Sequence, residues 1–453
     1  MIMPKITVKN ITLLAALLWL PSVLSALISE PQAAGDFFFW RHQVTMLTGF
    51  LALAYMSLAV LLAVRFRWVE EIVKGLDKGY ALHKNLGIAA LTSLISHWAM
   101  VKSAMWLIDS GVIAMPDRGP RPEQTGIDWR GIAEGVGDVS FKIFLLFSIF
   151  SLVQAISYKR FRFVHKIGGV LMLAGVFHTM LLLDWSITSL PMNIAVTGLC
   201  MIASYCSVWS LSGKIGRSNR SPGQVVDHRK LSHESTKGNI IRFSVRLDKA
   251  IDYKEGQFAY LNFHDGESPH PFSILNYQEQ EKLIEFGVKD LGDYTHKLVN
   301  SMQNGQKVTV EGGYGHFQIS EAPQQVWIGA GIGIVPMVSR LYWLSRKATK
   351  GEHRLQSVHL FYCVNSEKEA FFRDEITSLI SNLLNRLDFI KFELVDAEKG
   401  ELLDAKRVYN SAKEPEFDIS FCGPHTFADQ LKSGLTALGF NTERFHSEQF
   451  KMR

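Results

Sequence analysis

Residues 83–97 read HKNLGIAALTSLISH and residues 165–178 read HKIGGVLMLAGVFH. Each stretch lies in a segment long and apolar enough to cross a bilayer, where an ionisable side chain is costly and marks function. The paired histidines are fourteen and thirteen residues apart, about 20 Å along a helix axis. Two such helices side by side make two layers: His83 with His165, and His97 with His178. Two facing imidazoles per layer suit the axial positions of a b-type haem, and two stacked haems would make an electron path. Fourteen residues return His97 to within roughly 40° of the face of His83, whereas thirteen leave His178 about 140° from His165 on a straight helix. The haem reading therefore requires a kink or π-bulge near Gly168, Gly169 or Gly175. The histidines alone also fit a transporter or proton channel, although Asp184, near a helix end, is the only clear acidic candidate to go with them.

Working outward, six spans are expected near 8–28, 42–65, 83–108, 138–158, 163–186 and 191–211. Each is close to the roughly 20 residues a membrane helix needs. Arg65, Arg67, Lys74 and Lys78 follow the second span, Lys159, Arg160, Arg162 and Lys166 the fourth, and Lys214, Arg217 and Arg220 the sixth. The positive-inside rule puts these loops and both termini in the cytoplasm, with loop 109–137 outside. The first span is read as a retained anchor rather than a signal peptide, because its apolar run is long.

The 453-residue chain carries a net charge of +5, which the cytoplasmic loops explain, so no nucleic-acid partner is expected. Cys200, Cys206, Cys363 and Cys422 form no CxxC or cluster spacing, which argues against iron–sulfur centres, zinc or a disulfide framework. Residues 1–212 read as membrane domain and 213–224 as linker.

After the linker the pattern becomes strand-like, over Ile240–Leu247, Gln257–Phe263, Pro271–Leu275, Leu283–Val288 and Lys307–Glu311. Short strands at this spacing predict a small antiparallel barrel over 225–320. It contains His270-Pro271-Phe272-Ser273, in which an aromatic and a hydroxyl suit a flat ring with hydrogen-bonding nitrogens. Next come Lys289 and Gly292-Asp293-Tyr294-Thr295 at the start of an amphipathic helix, a place for a pyrophosphate. From 321 to 453 strands and helices alternate, predicting a parallel α/β domain. Its first strand leads into Gly329-Ala330-Gly331-Ile332-Gly333 and Pro336, a turn through which a backbone can approach a dinucleotide. Cys422-Gly423-Pro424 stands at a later strand end, where open sheets bind ligands.

The cytoplasmic half resembles the ferredoxin–NADP reductase superfamily, and the whole chain resembles the ferric reductase and NADPH oxidase family. The resemblance implies a multi-domain protein: an all-α six-helix transmembrane bundle, an antiparallel β-barrel FAD domain and an α/β Rossmann-like nucleotide domain. It implies two b-type haems on His83, His97, His165 and His178, with FAD at His270, Pro271, Phe272 and Ser273 and its pyrophosphate at Gly292, Tyr294 and Thr295 beside Lys289. NADPH, with NADH as the alternative, is assigned to Gly329, Gly331, Gly333 and Pro336, its nicotinamide beside Cys422, Gly423 and Pro424. Asn365 stands where NADPH users often have arginine, leaving Ser366 and Lys368 for the 2′-phosphate. Glu448 and Phe450 resemble the acidic–x–aromatic ending whose aromatic covers the flavin, here followed by Lys451, Met452 and Arg453. Gly312-Gly313 replaces a frequent proline, and neither an EF-hand nor a ferredoxin domain is evident.

Flavin is needed because a nicotinamide gives two electrons as hydride while a haem takes one. Ser273 and Cys422 are expected to position the hydride transfer. The inner haem falls to His83 and His165 and the outer to His97 and His178, with oxygen or a ferric chelate as the external acceptor. The third alternative is a cytoplasmic flavin reductase on a passive membrane anchor. The expected setting is a bacterial inner membrane, with lipid and a small-molecule acceptor as partners and no protein partner.

Overall fold

The computed structural model describes residues 6–114, 126–153, 158–185, 189–232, 239–315, 317, 322–347, 355–384, 389–412 and 416–447. These form two compact units, residues 1–74 with 78–215, and residues 216–453 with 75–77.

The first unit is helical: α1 Val8–Ser29, α2 Phe37–Ala63, α3 Arg67–Val73, α4 Leu76–Asp109, α5 Trp129–Leu152, α6 Tyr158–His165, α7 Ile167–Leu182 and α8 Leu190–Leu211. Short polar caps start several of them. Thr7 accepts from the amide of Asn10, Asp36 from those of Phe38 and Phe39, and Asp128 from that of Gly131. Among the described residues five helical stretches are long and apolar enough to cross a membrane: α1, α2, α5, α8 and Phe163–Leu182, which joins the end of α6 to α7. The remaining expected span, α4, is 34 residues long but less apolar, since it carries Lys84, Asn85 and Lys102 besides its histidines. The chain is a multi-pass membrane protein.

Small side chains let these helices approach, as expected without a hydrophobic drive between them: Ala52, Ala54, Ser57, Ala59, Ala90, Ala133, Ala203 and Ser207 are buried. Leu13, Leu17, Leu146, Ile149, Ile194 and Met201 point outward, as lipid-facing residues do. In the fifth span the irregular turn is at Lys166, ahead of the glycines where a kink was expected, and Lys166 keeps helical dihedrals of φ −62° and ψ −27°. The amide of Gly169 then bonds the Lys166 carbonyl at 3.1 Å, a tightened turn. Gly168 and Gly169 keep α7 close to its neighbours: a Cβ on them would meet Phe147 at 3.2 Å and Leu211 at 3.1 Å. The fourth span begins at Trp129, nine residues before the expected 138, because Asp128 caps it.

The second unit opens with a closed barrel, strand order β1-β2-β5-β4-β3-β6. The strands are β1 Arg220–Leu231, β2 Ile240–Leu247, β3 Phe258–Asn262, β4 His270–Gln278, β5 Leu283–Lys289 and β6 Lys307–Tyr314. β1 closes the barrel and starts inside the segment read as linker. Its burial alternates only as far as Val225, and a bulge follows between Val225 and Asp227, which blurs the period-2 signal. Helix α9, Asp293–Ser301, packs on the barrel through Leu298 and Val299.

A parallel sheet follows, ordered β11-β10-β7-β8-β9. In chain order its elements are β7 Gln324–Ala330, α10 Val335–Lys347, β8 Ser357–Val364, α11 Arg373–Leu384, β9 Ile390–Asp396, α12 Ala405–Ser411, β10 Asp418–Cys422, α13 His425–Ala437 and β11 Phe445–Ser447. Alternation along the strands builds two cores. Trp327, Leu360 and Tyr362 face α10 and α11, while Val326, Ile328 and Phe361 face α12 and α13. The first core also takes Ile240 and Leu275 from the barrel, so barrel and sheet share buried apolar surface. The expected fold class, a helical membrane domain followed by an antiparallel barrel and an α/β domain, is the one found.

Candidate functional site

In the helical unit the four histidines meet in two layers. The rings of His83 and His165 have centroids 5.8 Å apart, and those of His97 and His178 are 6.4 Å apart. Two imidazoles bound to one metal at about 2 Å each would have centroids about 6 Å apart. Their other nitrogens are engaged. His83 Nδ1 donates to the Ala59 carbonyl at 2.8 Å, His97 Nδ1 to the Thr45 carbonyl at 3.0 Å, and His178 Nδ1 to the Ala133 carbonyl at 2.8 Å. His165 Nδ1 donates instead to Ser151 Oγ at 3.3 Å, and Ser151 passes its own proton to the Phe147 carbonyl. Such bonds fix the tautomer and leave Nε2 as the ligating atom.

Packing fixes the planes. His165 lies between Phe147 and Phe161, at 5.1 and 4.8 Å. A Cβ on Gly137 would come within 2.4 Å of the His178 ring, and one on Gly49 within 3.2 Å of His97. Among the described residues no group of three or more His, Cys, Asp or Glu comes together as a metal cage. Two facing imidazoles suit an iron that brings its own equatorial nitrogens better than a bare ion, which takes about four protein ligands. The donor set fits a haem in each layer.

In the second unit the two flavin motifs come together. β4 pairs with β5 only from Ile274 onward, so His270 to Ser273 bond to β3 alone and leave one edge open. That open edge is why Pro271 is tolerated within a strand. His270 stacks on Tyr294 with centroids 3.8 Å apart, and Phe272 and Tyr294 both lean on the barrel core. Burial holds His270 below the ordinary imidazole range, against the opposing pull of Glu267 and Asp265, so it is neutral at pH 7. Thr295 Oγ1 accepts from the amides of Leu291 and Gly292 and donates to the Gly292 carbonyl, locking the turn before α9. Lys289 is ion-paired with Glu369 of the α/β domain at 2.9 Å.

The glycine-rich turn is set by close approach. Gly331 has φ +56°. A Cβ on Gly329 would meet Ile334 Cα at 2.6 Å, and one on Gly333 the Cys422 carbonyl at 2.3 Å. Cys422 pairs with Gly329 across β7 and β10, and a Cβ on Gly423 would meet Ala330 at 2.7 Å. Pro336 is the second residue of α10, where its missing amide hydrogen costs nothing. The glycine turn and Cys422-Gly423-Pro424 thus form one surface at the carboxyl ends of adjacent strands. Ser366, beyond β8, donates to Glu398 at 2.5 Å, and Lys368 is exposed. Glu448 and Phe450 lie outside the described residues.

Sequence reading missed the polar seam between barrel and sheet. Arg242 binds Glu285 at 2.6 Å and Glu375 at 2.8 Å, with Tyr342 on both Arg242 and Glu375. Arg340 pairs with Glu255 and lies over Trp343, Tyr253 bonds Ser339, and Arg346 donates to Asn276 at 2.8 Å. No local signal marks these residues, because each partner comes from a distant segment.

Three domain families match the chain in succession: the ferric reductase like transmembrane component at residues 48–176, an FAD-binding domain at 225–324 and an oxidoreductase NAD-binding domain at 327–433. The reductase component of propane 2-monooxygenase from Rhodococcus jostii is 24% identical over 215 residues, covering 44% of this chain and 56% of that protein. NADPH oxidase 1 of Mus musculus is 24% identical over 196 residues, covering 40% of this chain and 32% of its own length. The chain spans about half the length of the first curated relatives it matches, 56% and 59%. A solved ferredoxin-NADP+ reductase from Plasmodium falciparum is 15% identical, with a TM-score of 0.42 over 52% of this chain and 97% of its own. A ferric reductase like membrane component, an FAD-binding domain and a nucleotide-binding domain thus follow one another in this chain, an arrangement that matches the ferric reductase and NADPH oxidase family.

Proposed function

We propose that this protein carries electrons from cytoplasmic NAD(P)H through FAD and two b-type haems to a one-electron acceptor on the other side of the membrane. The observation that carries the reading is the meeting of His83 with His165 and His97 with His178 at metal-bridging separation, each with Nδ1 engaged. A passive anchor has no use for two such layers. A transporter would want acidic partners beside them, and each histidine is oriented by a carbonyl or a hydroxyl instead.

The bound groups would supply hydride acceptance, its division into single electrons, and their passage between layers. The chain's residues do the rest. His83 and His165 hold the inner layer and His97 and His178 the outer, with Nε2 of each as ligand. Gly329, Gly331 and Gly333 admit the dinucleotide phosphates, Cys422 borders the nicotinamide, and Ser273 orients the flavin ring. Thr295 fixes the turn that presents the first amides of α9 to the flavin phosphates. Glu448 and Phe450 are assigned to covering the flavin. A haem held by His97 and His178 would supply single electrons, which oxygen or a ferric chelate could take without binding to it. The setting is a bacterial inner membrane with both termini cytoplasmic.

The test is anaerobic reduction of the purified, FAD-supplemented protein by NADH or NADPH, followed by stopped-flow mixing with oxygen or ferric citrate. Fast haem reoxidation by oxygen with superoxide near one per electron identifies an oxidase. Fast reoxidation by the chelate alone identifies an iron reductase. If neither nucleotide reduces a haem, the electron path is wrong.

A further inference from the structure

A dinucleotide bound as open parallel sheets generally bind one would lie across the carboxyl ends of β10, β7 and β8, with its pyrophosphate at the glycine turn. With the nicotinamide on the Cys422 side, the adenosine ribose falls on the opposite side, beyond β8. In such sheets an acidic residue there binds the ribose hydroxyls, whereas a cation receives a 2′-phosphate.

The residues beyond β8 are Asn365, Ser366, Glu367 and Lys368, and they are tied to the turn after β9. Asp396, 3% exposed, accepts from the amides of Glu367 and Glu398, both at 3.0 Å. The Glu398 amide also reaches the Asn365 carbonyl at 2.9 Å. This lattice holds the Glu398 carboxylate on the Ser366 hydroxyl at 2.5 Å. Two of the nearby cations, Lys399 and Arg373, are already paired, and Lys368 stands exposed beside them. Lys399 binds Glu367 at 2.5 Å and stands 3.9 Å from Asp396, and Arg373 also pairs with Glu367. A 2′-phosphate, carrying close to two negative charges at pH 7, would enter beside a fixed carboxylate and compete for cations that have acidic partners. A ribose diol would instead donate to that carboxylate.

We infer that the Ser366–Glu398 pair makes NADH the electron donor and rejects the 2′-phosphate of NADPH, with Glu398 the specificity-determining residue. This rests on the reading of a nicotinamide nucleotide as donor, and reverses the expectation that Ser366 and Lys368 receive the phosphate. The experiment is calorimetric titration of the full-length, FAD-loaded protein with ADP-ribose and with 2′-phospho-ADP-ribose, beside anaerobic flavin reduction by NADH and NADPH. Wild type is expected to bind ADP-ribose at least tenfold more tightly than its 2′-phosphate and to show the same preference in kcat/KM, chiefly through KM. Glu398 is exposed, so E398Q is expected to fold and to lose most of the discrimination between the two nucleotides. E398K is expected to reverse it. Equal or tighter binding of the 2′-phosphate by wild type overturns the assignment, as does unchanged discrimination in E398Q. If neither nucleotide binds or reduces flavin, the donor reading itself fails and this inference falls with it.

Discussion

The two halves of this molecule place cofactor-sized chemistry by opposite means. In the membrane bundle, four identical side chains meet in two pairs, and the backbone supplies the orienting acceptors at Ala59, Thr45 and Ala133. In the cytoplasmic half, side chains are removed so that backbone can approach, as at Gly329, Gly333 and Gly423. Lipid explains the difference. Inside a bilayer a helix keeps its own hydrogen bonds, so a binding group must be a side chain. A strand-to-helix turn in water can expose amides, and there any Cβ is an obstacle. Mutations should therefore be read by opposite rules, loss of a ring in one half and gain of a methyl in the other.

The largest effect should come from the rings. H97A is expected to halve the haem per polypeptide and lower reduction of an external acceptor by more than about 100-fold, since losing a ligand costs more than losing the hydrogen bond that orients one, itself worth up to about 100-fold. Pyridine haemochrome assay and NADH-driven flavin reduction measured together check this. Flavin reduction should persist, and its loss would break the separation between the halves. In the other half, G333V pushes against the Cys422 carbonyl and should slow flavin reduction by about 100-fold, the cost of roughly 1 Å of misplacement, at full haem content.

The middle cases cross the rules over. G137A adds a methyl inside the membrane bundle, where it would stand 2.4 Å from the His178 ring. It should weaken haem retention in the outer layer by about tenfold, visible in the low-spin optical spectrum. S151A removes the hydroxyl that accepts from His165 Nδ1, so the inner layer should lose affinity by about tenfold at most. An outer-layer loss in S151A would contradict the layer assignment. Smallest, E375Q leaves Arg242 half-answered in the seam. It should cost about 1–3 kcal/mol and lower the temperature of flavin release with little change in turnover.

Much of this was legible beforehand because the signals are periodic or stereochemical. The strand-like pattern gave Ile240–Leu247 its bounds, and the spacing of His83, His97, His165 and His178 predicted the two layers. The angular misfit of His178 demanded a distortion near the glycines, and the irregular turn lies ahead of them, at Lys166. What was not legible depends on partners distant in sequence. A carbonyl that orients a histidine has no residue type, so Ala59 and Ala133 carry no mark. β1 hid behind its bulge, and Lys289, assigned to a phosphate from its place beside α9, stands against Glu369, 80 residues away.

The seam between barrel and sheet has a consequence for evolution and engineering. Arg242, Lys289 and Arg340 reach from one domain to carboxylates of the other, with little solvent to replace a lost partner. A chimaera cut between β6 and β7 would inherit charges whose counterparts stayed with the donor, and buried orphans of this kind are strongly destabilising. The exchangeable cassette is therefore the barrel and sheet together, from about Gly216 onward. Within a lineage, the two domains are bound to drift as a pair.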